Sequence, residues 1–137
     1  MNLKGKVEVF VLNKEGKVIK KIEKQNVILN SGKEKVYSGD YIPELDSIGI
    51  GTDNTSPDSS QTGLLAEYRK EDASKETSGD FSIILEHTFT DFTETVDICE
   101  AGCAFPDGSY LNRVTFDPVT CDENNNIKIK FTITVTD

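Results

Sequence analysis

Apolar and polar residues alternate in several separate stretches of this chain, and the alternation has the two-residue period of β-strands. Val7, Val9 and Val11 form one apolar row. Ile127, Ile129, Phe131, Ile133 and Val135 form another, set against Lys128, Lys130, Thr132, Thr134 and Thr136, and this last segment is the clearest strand in the sequence. Phe81, Ile83, Leu85, His87 and Phe89 share one face of a further strand, and Thr95 to Ala104 reads as extended with Val96 and Ile98 inward. Tyr110 to Phe116 returns with Tyr110, Asn112, Val114 and Phe116 on one face. Ile48 and Ile50 alternate with Gly49 and Gly51, so a strand there carries side chains on one face only. Something large packs on its bare face, or another backbone approaches closely.

Turn chemistry punctuates these runs. Asn13 to Gly16 closes an N-terminal hairpin, Lys6 to Gln25, whose lysine-rich second strand reads as an edge protected from pairing with other chains. Phe105 to Ser109 makes a Pro-Asp-Gly turn. Gly32 to Tyr37, capped by Asn or Ser, predicts a helix of one to three turns over a sheet edge, and Gly39 to Pro43 ends it. Thr52 to Thr62 consists almost wholly of Asp, Asn, Ser, Thr and Pro, a surface loop, from which Leu64 and Leu65 return the chain to the core. Lys70 to Asp80 is charged and aperiodic and reads as exposed and mobile. Asp117-Pro118 and Cys121 to Asn126 read as the next polar connection. Together these elements predict an all-β chain with minor α content, an antiparallel β-sandwich or open barrel in one domain spanning 1–137.

Charge and composition narrow the partners. The 137 residues carry a net charge of −9, which repels nucleic acid phosphates and anionic lipid. Glu8, Asn13 and Lys14 interrupt the first apolar run, so neither a leader segment nor a membrane span is expected. Cys99, Cys103 and Cys121 are expected as buried free thiols, since an odd count leaves one unpaired and about 13 Å separates Cys99 from Cys103 on an extended strand.

Candidate chemistry is sparse. Zinc on the three cysteines with His87 is disfavoured by spacing. His87, the sole histidine, lies in an apolar row and suits packing better than proton transfer, and no Gly-x-Ser-x-Gly elbow accompanies it. Asp91, Glu94 and Asp97 offer acid–base pairs, yet the chain has no Trp on which a sugar would stack. Asp53, Asn54 and Asp58, or Asp122 to Asn126, are oxygen-rich without the ligand spacing of a calcium loop. Gly49-x-Gly51 lacks the lysine of a phosphate loop. No enzyme, metal or cofactor is expected.

Four pieces in order resemble small virion proteins of tailed bacteriophages. They are Asn26 to Gly32; the loop Ile48 to Glu67, of the type Ile-Gly-x-Gly-Thr-x-x-Thr-x-Pro; Ile98-Cys99-Glu100-Ala101-Gly102; and Leu111-Asn112-Arg113-Val114-Thr115-Phe116 before the final strand. The resemblance covers about 90 residues with gaps. Cys99 and Cys103, and the added hairpin Lys6 to Gln25, depart from its pattern. It implies a non-enzymatic virion component made in the host cytoplasm, of tail, tail-fibre-associated or capsid-decoration type. Its partners would be other phage structural proteins and further copies of itself, with no nucleic acid or membrane. Ile48, Thr52, Asp53, Asn54, Thr55, Pro57 and Asp58 are then candidate interface residues, and Glu100 with Arg113 a candidate structural pair across neighbouring strands. A ligand-binding or adhesin-type module, directed at carbohydrate or a host surface, is the alternative, but its usual aromatic platform is missing because the tyrosines are dispersed.

Overall fold

The computed structural model describes residues 2–37, 44–77 and 82–136. Among these residues ten strands and one helix follow one another as β1 (Asn2–Asn13), β2 (Val18–Gln25), β3 (Val27–Ile28), α1 (Asn30–Tyr37), β4 (Ser47–Gly51), β5 (Glu67–Asp72), β6 (Ser74–Thr77), β7 (Ser82–Phe89), β8 (Val96–Ala104), β9 (Asn112–Cys121) and β10 (Asn125–Thr136). They form two five-stranded antiparallel sheets, β2-β1-β10-β7-β6 and β3-β9-β8-β4-β5. This is the all-β sandwich expected, open rather than closed into a barrel. The expected break at Gly39 to Pro43 and the position of Phe81 fall outside the described residues.

The alternating runs supply the core. Val7 and Val9 from β1, Ile83, Leu85 and Phe89 from β7, and Ile127, Ile129, Phe131 and Ile133 from β10 are solvent-free. Across the interior they meet Ile48 and Ile50 of β4, Ile98, Ala101 and Cys103 of β8, and Val114, Phe116 and Cys121 of β9. Each large side chain so buried contributes about 1.5–3 kcal/mol. The period of two fixes the register, because a one-residue slip of β10 against β1, now paired Val7 to Phe131 and Val9 to Ile129, would turn the apolar row to solvent.

Three expectations change. Lys70 to Asp80 does not read as a mobile segment over its described part: β5 and β6 form edge strands of the two sheets there, Ser47 pairing with Asp72 and Ser74 with Glu86. An edge strand exposed on its outer side needs no apolar row, since the ladder to its neighbour satisfies its backbone. Strand β9 runs through Asp117-Pro118 to Cys121 instead of ending at Phe116. Its register shifts between the pairs Glu100–Thr115 and Ile98–Val119, so Phe116, Asp117 and Pro118 bulge opposite Cys99 alone, and the proline, which has no N–H, sits in that bulge. Helix α1 starts at Asn30, two residues before the range expected. Its first amide donates to the Ser59 carbonyl at 2.7 Å, which ties it to loop 52–66.

Candidate functional site

The bare face of β4 is where the second sheet departs from simple alternation. A Cβ at Gly49 would collide with the Tyr110 hydroxyl, and one at Gly51 with the Ala66 carbonyl and the Glu100 carboxylate. Gly102, paired to Gly49, would likewise strike the Asn112 carbonyl and the Tyr110 ring. The glycines therefore clear a shallow floor on the outer side of β4 and β8, and Tyr110, Glu100 and loop 52–66 fill it. Tyr110 belongs to this outer layer with Leu29, Ala104 and Leu64, not to the row of Val114 and Phe116. It sits in an isolated bridge to Ala104, ahead of β9, so the strand's alternation does not yet govern it. Its hydroxyl donates to Glu67, and burial, reinforced by that carboxylate, pushes its phenol well above the ordinary range.

Glu100 and Arg113 stand at the centre of the floor, both without solvent exposure. Arg113 Nε donates to Glu100 Oε1 at 2.9 Å. The remaining capacity of both groups is spent on the loop. Glu100 accepts from the amides of Asp53 at 3.0 Å, Leu65 at 2.9 Å and Ala66 at 2.9 Å, and so ties the loop's start to its end. Arg113 donates to the Thr55 carbonyl at 2.7 Å, Gln61 Oε1 at 3.1 Å, the Asp53 carbonyl at 3.2 Å and Asp53 Oδ1 at 3.4 Å, and so ties its middle. A buried charge is tolerable only when paired and fully hydrogen-bonded, and here the loop backbone supplies the bonds that water would. Beneath the loop, the small apolar layer of Tyr110, Leu29, Ala104 and Leu64 is therefore joined by a buried ion pair.

Asx turns settle the rest of the loop. Asp53 Oδ1 accepts from the Thr55 amide at 2.8 Å and Asp58 Oδ1 from the Ser60 amide at 2.8 Å; the Thr55 and Ser60 hydroxyls, with those amides, hold both carboxyls below their ordinary pKa. Thr52, Asn54, Thr55 and Asp58 are exposed, with Asp53 and Pro57 half-buried. Ile48 is not available to a partner: it is solvent-free in the core, because it lies on the face of β4 opposite the glycines. Leu65 also departs from expectation. It is 47% exposed, since its amide must face Glu100 and only Leu64 turns inward against Tyr110.

No protein-family model, curated protein or solved structure matches this chain.

The other candidates are placed as follows. His87 Nε2 lies 2.7 Å from Glu71 Oε1 and its ring meets Phe89 edge-on, so it bridges β7 of one sheet to β5 of the other. The neighbouring Arg69 donates to the carbonyls of Thr90 at 2.6 Å and Asp91 at 3.0 Å and lies over Phe92. These polar groups close that side of the sandwich. The three cysteines are buried and unpaired, and burial raises all three thiols, Cys121 to about 12. No group of three His, Cys, Asp or Glu side chains converges among the described residues. Asp122 spends Oδ1 on the amides of Asn124 and Asn125, and Asp97 accepts from Thr120 at 2.7 Å. No described helix is long and apolar enough to cross a membrane.

Sequence reasoning found the Glu100–Arg113 juxtaposition and the occupied glycine face, but missed that both charges serve the loop. The one signal for it was an isolated Glu and an isolated Arg within otherwise apolar or small-residue strand segments.

Proposed function

We propose that this chain is a non-enzymatic structural component of a bacteriophage virion, docking on tail or capsid through strand edges and surface loops. The observation that carries the reading is the pair of buried charges whose hydrogen bonds all serve to fix loop 52–66. A loop already ordered before contact loses little conformational entropy on docking, which favours assembly from many modest contacts. The three cysteines, the chain's thiol nucleophiles, are all buried, which suits a scaffold. The ordered sequence motifs that resemble tailed-phage virion proteins supply the setting.

Mass spectrometry of purified particles from a phage encoding this chain tests the reading directly. The protein is expected at stoichiometric, multi-copy abundance. Its absence from intact particles that were made in cells expressing it would overturn the proposal.

A further inference from the structure

The chain's charge is unevenly distributed. Residues 1–25 hold seven lysines and three glutamates, a net +4 within a chain of −9, so residues 26–137 carry −13. The basic excess is concentrated in the β1–β2 hairpin. At its tip Lys14 and Lys17 are exposed, with Glu15 between them, and Val18 and Ile19 follow at 49% and 56% exposure, two of the most exposed large apolar side chains described. Neither Lys14 nor Lys17 has a side-chain ion pair among the described residues.

The topology sets this tip beside an acidic hollow. Asn13 pairs with Asn125, and Ile127 with Phe89, which brings the hairpin turn to the same end of the sandwich as the loops after β7 and β9. Glu94, Asp122 and Glu123 line a concavity there with Phe92 and Thr93, and Lys14 lines its adjoining part together with Asp91, Asp122 and Glu123. A basic, apolar-tipped projection thus shares a border with an acidic depression of complementary sign.

We propose that two copies dock end to end about a twofold axis, each setting Lys14, Lys17 and the Val18–Ile19 pair on the acidic concavity of the other. A twofold contact requires a self-complementary patch, in which each projection meets a depression next to its own base, and this end supplies both parts. A second copy fits better than nucleic acid, because the acidic wall beside the lysines repels phosphate. The inference rests on the assembly reading above and identifies one surface for it. A contact made by two hairpin tips belongs at the weak end of interface sizes, roughly 1,200 Å² or less in total, so rapid exchange is expected.

Sedimentation velocity of the purified protein across a concentration series tests it. At about 50 mM salt a dimer is expected to grow with concentration, and raising salt to about 0.5 M should weaken it at least about tenfold by screening. A monomer at every concentration and low salt overturns the proposal, and so do species larger than a dimer. The specific test is a charge swap. Lys14→Glu with Lys17→Glu, and separately Glu94→Lys with Glu123→Lys, should each give monomers, since each sets like charges together. Mixed in equal amounts they should form a one-to-one heterodimer, a rescue that also shows both variants are folded. Failure of the mixture to dimerise overturns the contact. The particle experiment is separate: a dimer absent from particles defeats the virion reading, and a monomer present in particles defeats only this interface.

Discussion

Strand β10 buries Ile127, Ile129, Phe131 and Ile133 completely and leaves Lys128, Lys130, Thr132 and Thr134 on the side toward water. Strand β8, at the matching depth of the other sheet, is buried on both faces from Ile98 to Ala104. The first arrangement needs one apolar row. The second needs a cover, and the cover is a polar loop held by an ion pair. The hydrophobic effect is non-directional and tolerates variation in shape, whereas a buried pair with this many bonds works only when every partner is in place. The first sheet should therefore yield gradually to substitution and the second abruptly.

The largest effect is expected from removing one charge. Arg113→Met leaves Glu100 buried and uncompensated and should cost about 3–5 kcal/mol in urea denaturation. Adding Glu100→Leu should recover little, because the amides of Asp53, Leu65 and Ala66 then lose their acceptor; full recovery in the double variant would show the pair to be independent of the loop. For comparison, Ile129→Val in the first sheet should cost only about 0.5–1.5 kcal/mol with no change in loop protection by hydrogen exchange. Gly49→Ala pushes a methyl into the Tyr110 hydroxyl and should cost about 1–3 kcal/mol. If its melting temperature equals that of the parent, the outer layer is less tightly filled than the geometry requires.

Alkaline pH sharpens the same contrast. Burial raises Cys121 from the ordinary thiol value of 9.0 to about 12, and raises Cys103 and Tyr110 as well. Below about pH 9 these groups are neutral in both folded and unfolded chains, so their contribution is fully present. As pH rises further the unfolded chain ionises while the native one does not, and stability falls progressively toward the folded values. Urea midpoints should drop steadily above about pH 9, and a flat profile would contradict the sealing of β8 and β9. The smallest effect is expected at Gln61→Ala. It removes one acceptor from Arg113 and one from the Asp58 amide, at about 0.5–1.5 kcal/mol, with hydrogen-exchange loss confined to loop 52–66.

The first sheet was largely legible because its strands carry one wet and one dry face, and period two is visible without knowing what packs on the dry face. The bare face beside Ile48 and Ile50 was legible too, as a demand for a large neighbour. What could not be read locally was the identity of that neighbour. Tyr110 lies far along the chain and leaves the row that alternation assigned to it, and Ile48 belongs to the core despite its place at the mouth of the loop. The strands of Glu67 to Thr77 were missed because their order comes from ladders to Ser47–Gly51 and Ser82–Phe89, which are not expressed in their own composition.

The sequence alone determined the N-terminal hairpin, the turns and which residues of β1, β7 and β10 face inward, because burial and backbone geometry act there over a few residues. Only the tertiary structure decided that Glu100 and Arg113 hold a loop, that Cys99 sits across from a proline bulge, and that a basic hairpin tip adjoins an acidic hollow. The loop's bonds to Glu100 and Arg113 span 34 to 60 positions of chain, and the hairpin tip and the acidic hollow are farther apart still in sequence. At that range each group's partner is chosen by the packing of whole sheets, which a local pattern cannot express.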